Sequence, residues 1–167
     1  MITVVSDTHG TDDHRLRGRT LTAVREAELV VHAGDFTTAA VLDAFETEAD
    51  RLLAVAGNSD RAAVRERLGE TAVGEASDCR VAVVHGHRHD RTALSLLGRQ
   101  AEADVVVVGH SHRPGVERLD DVTLLNPGSH ADPRGHTAAH AELAPDESRG
   151  RLVTPDGDVL ESFSLFA

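Results

Sequence analysis

Residues that commonly bind metal recur along this chain at positions where predicted strands end. The first pair, Asp7 and His9, follows the β-branched run at residues 2–5 and precedes Gly10. A short apolar run bounded by turn-forming residues is typical of a buried strand. In an extended chain, residues i and i+2 project to the same side, so Asp7 and His9 could bind one ion together. Alone this motif is weak, because an Asp-x-His at a strand end is often only a turn.

Four further apolar runs end in the same way. These runs and the polar residues that follow them are 29–33 with Asp35, 52–56 with Asn58, 80–84 with His85, and 105–108 with His110 and His112. The polar ends recur roughly every 25 residues, close to the length of one strand–helix–strand unit. Ligands of open α/β sheets gather at the carboxyl ends of strands, so we expect these seven side chains to meet at one sheet edge. One histidine at a strand end is usually structural, but five such endings indicate a site.

The segments between these strands carry helix and turn signals. Helices are predicted over about 20–28, 38–48, 60–68 and 90–103, with Thr37 or Thr38, Ser59 or Asp60, and Asp90 as their candidate caps. A hairpin over 71–77 and 80–84 is predicted to turn at Ser77 and Asp78, and short strands are predicted near 115–119, 122–125, 137–143, 150–154 and 158–165. The sequence therefore predicts one α/β domain spanning residues 1–167.

The donor types indicate which metals would bind. Seven Asp, Asn and His side chains exceed the four ligands of one tetrahedral zinc, and they suit two divalent ions that share a carboxylate. Nitrogen and oxygen donors without thiolate favour transition metals over Ca or Mg. We expect two divalent transition-metal ions, with Mn as the first candidate and Ni, Fe, Co or Zn as alternatives.

The charge pattern bounds the class of partner. The chain has 28 Asp and Glu, 17 basic residues that are all Arg, and a net charge of −11. Nucleic acids are bound by clustered positive charge, so duplex nucleic acid is not an expected partner. Salt relieves the self-repulsion of such an acidic surface, which favours a halophilic, salt-adapted proteome. Codon bias in a GC-rich genome is the alternative explanation for the missing Lys.

Membrane insertion and secretion are not expected. No apolar run approaches the roughly 20 residues that span a bilayer, and the first predicted strand begins at Ile2, which leaves no room for a signal peptide. The single Cys79 excludes an internal disulfide and a cysteine-based zinc site. We expect a soluble, cytoplasmic protein, and homo-oligomerisation stays open.

The order of the motifs resembles the calcineurin-like metallophosphoesterase superfamily. The motifs are Asp7-x-His9, Gly34-Asp35, Gly57-Asn58, His85-Gly86-His87 and Gly109-His110-Ser111-His112. Asn126-Pro127-Gly128-Ser129, followed by Pro133-Arg134, is similar to the small bacterial and archaeal phosphodiesterase branch of that superfamily. The resemblance covers residues 1 to about 134 and implies a four-layer sandwich of two mixed β-sheets flanked by helices.

The resemblance also implies the chemistry and the role of each residue. It implies in-line attack on a small phosphodiester by a hydroxide that bridges the two ions. The first ion would be bound by Asp7, His9, Asp35 and His112, and the second by the bridging Asp35 with Asn58, His85 and His110. The candidate catalytic residues are Asn58 and His87, and the candidate substrate contacts are Asn126 and Arg134.

Other interpretations remain open at this point. A retromer subunit of the same branch lacks histidines of the metal set and is a protein-interaction scaffold, whereas every ligand position is filled here. A phosphomonoesterase is a further alternative. Protein phosphatases and repair nucleases usually carry His directly after the Gly-Asn, where this chain has Ser59. Arg134 could form only a surface ion pair, and residues 126–129 could be a simple turn.

Several histidines outside the motifs are not expected to bind metal. His32 lies inside a predicted strand and is expected to be a buried histidine that supports the site. No role is expected of the histidines in polar segments, which are His14, His130, His136 and His140. His89 is expected to be solvated.

Overall fold

Two β-sheets pack face to face in the structure, a computed structural model that describes residues 1–166. One sheet has six strands and the other has five, and each contains both parallel and antiparallel neighbours. The α-helices formed within residues 1–166 cover the outer faces of the sheets. This four-layer arrangement confirms the predicted fold class.

The larger sheet is built around the first strand of the chain. Its strands are β1 (Ile2–Val5), β2 (Leu29–His32), β3 (Leu52–Ala54), β9 (His140–Ala144), β10 (Arg149–Val153) and β11 (Val159–Ser164). Their order is β11-β10-β9-β1-β2-β3. The first three strands are parallel, while β9 is antiparallel to β1 and pairs Ala141 with Val4. All residues of β1 and β2 are buried, as expected for central strands that are covered on both faces.

The smaller sheet contains the hairpin and the most apolar strand. Its strands are β4 (Thr71–Ala76), β5 (Cys79–Val84), β6 (Val105–Val107), β7 (Gly115–Leu119) and β8 (Val122–Asn126), in the order β4-β5-β6-β8-β7. The hairpin turns at Ser77 and Asp78, whose φ angles are 50° and 56°. Two central residues with positive φ fit a turn whose twist matches that of the strands. The predicted hairpin is therefore confirmed.

Two of the four helices begin after a side chain that caps them. The helices are α1 (Gly18–Glu26), α2 (Ala39–Glu48), α3 (Ala62–Arg65) and α4 (Arg91–Ala101). Thr38 accepts from the amide of Val41 at 3.4 Å and Asp90 from that of Ala93 at 2.9 Å, as predicted. The prediction of a helix from 60 to 68 capped by Ser59 or Asp60 is wrong, because α3 has four residues and the Asp60 carboxylate binds amides of its own loop and of the loop after β2.

Packing between the sheets brings the strand ends together. Apolar side chains of both sheets, such as Val31 and Val107, form the central core, and the helices pack on the outer faces. The parallel strands β1, β2 and β3 of one sheet and β5 and β6 of the other thus end at one edge of the sandwich. None of the helices within residues 1–166 has the length and apolar character needed to cross a bilayer.

Candidate metal centre

The polar residues that follow these strands converge between the two sheets. The Oδ2 atom of Asp35 lies 3.3 Å from Nε2 of His9 and 3.3 Å from Nε2 of His85. The Oδ1 atom of Asp7 lies 3.4 Å from Nε2 of His112. The Asp35 carboxylate therefore lies between two histidines, His9 and His85, that follow different strands.

The remaining two predicted ligands complete the cluster on its solvent side. The side-chain oxygen of Asn58 lies 2.9 Å from Nε2 of His85 and 2.9 Å from Nδ1 of His110. His110 is exposed, whereas Asp7 and His112 are buried. All seven side chains predicted as ligands thus lie in one cluster that opens to solvent at His110.

The donor set fits divalent cations. Donor atoms lie within 4.8 Å of one another in two groups, Asp7 with His9 and His112, and Asp7 with Asp35 and His85. Within residues 1–166, neither of the two buried carboxylates has an Arg within ion-pair distance. Buried carboxylates are normally paired or bound to metal, so this cluster has the composition of a cation site.

Backbone carbonyls orient two of the histidines. Nδ1 of His85 donates to the carbonyl of Ala33 at 2.7 Å, and Nδ1 of His112 donates to the carbonyl of Asp132. A ring that donates through Nδ1 is left, when neutral, with a lone pair on Nε2. In both residues Nε2 faces the carboxylates, which is the orientation that a metal-binding histidine requires.

The electrostatics of the cluster depend on Asp35 and His85. Burial disfavours the charge on each of them, but their hydrogen bond and mutual attraction outweigh burial. The pKa of Asp35 is therefore held well below its ordinary value, and the pKa of His85 is raised. Burial raises the pKa of the Asp7 carboxyl. Asp35 is thus the ligand that stays anionic over the widest pH range.

Most of the predicted ligands lie in strained backbone. The residues with a positive φ are Asp7 (53°), His9 (46°), Asp35 (62°), His110 (67°) and His112 (57°). A left-handed non-glycine residue costs on the order of 1–2 kcal/mol and persists only where surrounding contacts hold it. The extended-chain argument for Asp7 and His9 is therefore wrong, because β1 ends at Val5 and the loop curls both side chains inward.

Two polar residues that sequence reasoning did not assign to the site hold these loops. The Asp60 carboxylate accepts from the amides of Gly57 at 2.7 Å, Thr37 at 2.6 Å and Asp35 at 3.1 Å. The Ser129 hydroxyl donates to the carbonyl of Asp7 at 2.7 Å. The only sequence signal for Asp60 is its place two residues after Asn58, which also suits a helix cap.

His32 supports the site from behind, as predicted. Its Nδ1 accepts from the amide of Gly34 at 3.1 Å, so its Nε2 donates to the Thr8 hydroxyl at 2.9 Å. Its ring is fully buried and stacks on Phe36 with centroids 3.6 Å apart. Gly34 itself has a φ of 95°, and a Cβ there would lie 2.8 Å from the amide nitrogen of Gly57. This crowding leaves no room for a side chain beside Asp35.

His87 borders the cluster on its open side. Its ring centroid lies 5.5 Å from that of His85 and 6.1 Å from that of His110. Burial, followed by the charges of His85 and Arg88, lowers its pKa. The neutral ring can accept or donate a hydrogen bond, but the shift disfavours the protonated form that a general acid needs.

The two candidate substrate contacts differ in how far their polar groups are already hydrogen-bonded to the protein. The Asn126 amide donates to the carbonyl of Gly109 at 2.9 Å and to the hydroxyl of Ser111 at 3.0 Å, so a substrate contact would require breaking these bonds. Arg134 pairs with Asp132 at 3.1 Å, yet its guanidinium also lies 3.5 Å from Nε2 of His9. Arg134 is exposed at the mouth of the cluster.

Two histidines from polar segments are buried, which their surroundings in sequence did not suggest. His140 lies 3.0 Å from the Thr20 hydroxyl and 3.2 Å from the Glu142 carboxylate. His130 donates through Nε2 to the carbonyl of His14 at 3.1 Å, and its buried Nδ1 has no hydrogen-bond partner among residues 1–166.

Several known proteins are similar in sequence to this chain. Residues 1–145 match the calcineurin-like phosphoesterase superfamily domain. A probable metallophosphoesterase of Methanothermobacter thermautotrophicus is 39% identical over 142 residues, which cover 80% of this chain and 79% of that protein. A phosphodiesterase of Methanocaldococcus jannaschii is 31% identical over 141 residues, which cover 76% of this chain and 82% of the relative.

The fold is also similar to solved structures. Vps29 of Entamoeba histolytica, solved in complex with Zn²⁺, superposes with a TM-score of 0.77 over 98% of each chain. The two sequences are 23% identical, so this likeness concerns the fold alone.

Proposed function

We propose a function on the premise that this chain belongs to the calcineurin-like phosphoesterase superfamily: it hydrolyses phosphodiester bonds of small substrates with two divalent metal ions. The observation that carries the proposal is the position of the Asp35 carboxylate, 3.3 Å from both His9 and His85. A carboxylate between two histidine groups is suited to bridge two ions. The similarity to a phosphodiesterase of Methanocaldococcus jannaschii supports diesters as the substrate class.

In this proposal the seven side chains divide into two ligand sets that share Asp35. The first ion is bound by Asp7, His9, Asp35 and His112, and the second by Asp35, Asn58, His85 and His110. Mn is the first candidate metal, and Ni, Fe, Co or Zn are alternatives. When bound, two such ions supply a hydroxide nucleophile at neutral pH and offset charge on the phosphate oxygens.

Protein groups around that site orient the ligands and the substrate. Carbonyl contacts fix the rings of His85 and His112, and Asp60 holds the Asp35 and Gly57 loops in register. Arg134 is placed to donate through its planar fork to a phosphate oxygen on the His9 side. Such fixed groups contribute by positioning the substrate and by stabilising charge in the transition state.

The leaving group receives little acid help from this chain. Ser59 follows the Gly-Asn, and its hydroxyl is too weak an acid to protonate a departing oxygen. The lowered pKa of His87 works against an acid role for that ring too. We therefore expect a preference for diesters whose leaving group departs as a stable anion. The net charge of −11 supports small substrates over duplex nucleic acid.

The location and the salt response belong to the same proposal. The single Cys79 is buried and burial raises its pKa to about 12, so its thiol is inert; this fits a cytoplasmic protein without disulfides. Halophilic adaptation is supported by the excess of carboxylates. Homo-oligomerisation stays a prediction from the sequence.

Metal analysis and a substrate panel test the proposal together. We expect up to two transition-metal ions per purified chain, loss of hydrolysis on chelation, and faster hydrolysis of nitrophenyl diesters than of the monoester with Mn, Ni, Co, Zn or Mg. Asp35→Asn should lose both metal and turnover. Asp121→Asn makes the same change at an exposed carboxylate that is not among the proposed ligands, and it should keep both.

Each alternative has its own outcome in that panel. Faster hydrolysis of monoesters would identify a phosphomonoesterase. Normal metal content without hydrolysis of any ester would favour a scaffold of the Vps29 type. Near wild-type turnover and metal content in Asp35→Asn would contradict the bridging assignment.

A further inference from the structure

A groove of about 470 Å³ opens beside the proposed second ion, and none of the roles assigned above uses it. Its lining includes the ligand Asn58, the candidate His87, and two guanidinium groups, Arg65 and Arg88. Leu68 and other small or apolar residues provide a wall that a carbon skeleton could cover. The volume lies within the range of roughly 300–1,000 Å³ that is typical of small-molecule sites.

Arg65 lies in this groove without a carboxylate partner in the described part of the chain. Most arginines here lie within 4.0 Å of a carboxylate, but Arg65 has no such partner among residues 1–166. Its one hydrogen bond is donated to the carbonyl of Asn58 at 2.9 Å. A guanidinium has five N–H donors in a fixed plane, so most of its donors remain available to a ligand.

Arg88 adds a second positive charge that a ligand could recruit. It pairs with Glu70 at 3.4 Å, and both side chains are largely exposed. An exposed ion pair of this kind contributes little to stability, so its exchange for a contact with a ligand has a small cost. Glu70 lines the same groove, so its two arginines leave a net positive charge there, which attracts anions on a protein whose net charge is −11.

We propose that this groove binds a second anionic group of the substrate, so that the preferred substrate is a phosphodiester with a further phosphate on one of its ester groups. The proposal rests on the proposed phosphodiesterase function. Arg65 recognises the distal phosphate through its planar fork, and Arg88 adds charge on the same side. The apolar wall packs against the skeleton that joins the two phosphates.

A matched pair of substrates tests this inference with the metal-loaded protein. The pair is the p-nitrophenyl ester of thymidine 5′-phosphate and the same compound with a 3′-phosphate, which have the same leaving group and differ only in the distal charge. We expect kcat/KM to be roughly tenfold or more higher for the 3′-phosphorylated compound, as charged hydrogen bonds to phosphate allow. Arg65→Gln keeps a donor for the Asn58 carbonyl but removes the charge, and it should bring that ratio close to one.

Arg113→Gln is the matched control. This substitution makes the same change of charge as Arg65→Gln. Arg113, however, lines a different groove, of about 600 Å³, on the Ser111 and Asn126 side of the site. The preference should survive this substitution. Equal kcat/KM for the two compounds in the wild type, or loss of the preference in Arg113→Gln but not in Arg65→Gln, would overturn the inference and leave the phosphodiesterase proposal intact.

A binding measurement separates the two proposals. Metal-loaded protein in low salt is titrated calorimetrically with thymidine 3′,5′-bisphosphate and with thymidine 5′-monophosphate. We expect several-fold tighter binding of the bisphosphate, which Arg65→Gln removes and Arg113→Gln preserves. Equal binding of both, or binding of neither at millimolar concentration, would contradict the inference whatever the protein hydrolyses. Absence of hydrolysis together with a bisphosphate preference would instead refute only the proposed function.

Discussion

The histidines at the metal centre differ from those packed behind it in what their two ring nitrogens contact. His85 and His112 each have one nitrogen on a backbone carbonyl and the other facing carboxylates. Both nitrogens of His32 contact neutral groups of the protein. His140 contacts the Thr20 hydroxyl and the Glu142 carboxylate, but Arg19 and Arg151 already pair with that carboxylate. Both groups are buried, so burial does not distinguish them. A buried histidine is available to a metal when the protein orients one nitrogen and the other faces acidic oxygens that are not paired with an Arg.

The largest expected effect comes from removing one ring from each group. His85→Ala should lower hydrolysis by at least about 10³-fold, because it removes a ligand and an electrostatic contact of Asp35. His32→Ala should cost roughly 3–5 kcal/mol of unfolding free energy, since it opens a cavity against Phe36 and leaves the Gly34 amide without its acceptor.

Paired assays on these two variants decide whether the comparison holds. Metal content and turnover are measured beside denaturant unfolding of the metal-free proteins. We expect His85→Ala to lose metal while it stays folded, and His32→Ala to keep its metal stoichiometry at temperatures where it is folded. The reverse pattern would mean that the contacts of the second nitrogen do not separate the two groups.

A smaller effect is expected at Ser59 and His87, which lie beside Asn58 and His85. With little acid help, rates across a series of aryl phosphodiesters should fall steeply as the leaving-group pKa rises. Ser59→His should flatten that slope, because general-acid assistance is typically worth about 10²–10⁴-fold. The measurement is the dependence of log kcat/KM on leaving-group pKa.

The matching variant for that series is His87→Ala. If His87 already supplied the proton, the wild-type slope would be shallow and His87→Ala would make it steep. That result would assign the acid role to His87 despite its lowered pKa. An unchanged slope in His87→Ala, together with a steep slope in the wild type, is the outcome we expect.

A third prediction concerns pH and the packed group. Burial, with smaller contributions from the charges of His140, Arg15 and His14, lowers the pKa of His130 to about 4. The unfolded chain takes up a proton on this ring below about pH 6.5, so stability should be lost as pH falls from about 6.5 to about 4. The expected loss is about 3 kcal/mol.

The control for this prediction is His130→Gln, which keeps an amide donor near the His14 carbonyl but cannot titrate. Its unfolding free energy, measured by denaturant at several pH values, should change less than that of the wild type between pH 6.5 and 4. The buried Glu142 carboxyl, whose pKa is lowered by bonds to His140 and Arg19 against the effect of burial, adds a separate loss that begins below about pH 4.5. If the unfolding free energy changes equally with pH in the wild type and in His130→Gln, His130 does not cause the pH dependence.

The smallest expected effect concerns the surface and not the buried histidines. Because the net charge is −11 and no Lys is present, the midpoint of thermal unfolding should rise by several degrees between dilute buffer and molar KCl. A flat or falling midpoint would indicate ordinary acidity. Since the contacts of the buried histidines are shielded from solvent, the stability difference between wild type and His32→Ala should change little with salt.

Sequence reasoning identified the seven side chains that cluster but not the geometry that holds them. Asp35 and His85 could be predicted because a polar residue after an apolar strand has a regular spacing and a defined place at a sheet edge. The left-handed φ of Asp7 and His9 could not, since it depends on contacts such as the Ser129 hydroxyl, which lies more than a hundred residues away. Long-range packing has no local signature in the chain.

Long-range contacts also explain why the roles of Asp60 and His130 were not predicted. Asp60 has the position of a helix cap in sequence, and only the meeting of the loops after β2 and β3 gives it three backbone amides to bind. His130 lies in a polar segment, but packing near Phe45 buries it.

The place of β1 in the larger sheet has a consequence for how the chain is made. This strand leaves the ribosome well before one of its two neighbours, β9, which begins at His140. At translation rates of about 5–20 residues per second, β1 waits roughly 7 to 27 seconds for that partner. Over the same interval the loop of Asp7 lacks Ser129. A nascent chain therefore exposes an apolar strand edge until β9 has been synthesised, and the proposed metal site cannot be complete before Ser129 has been added.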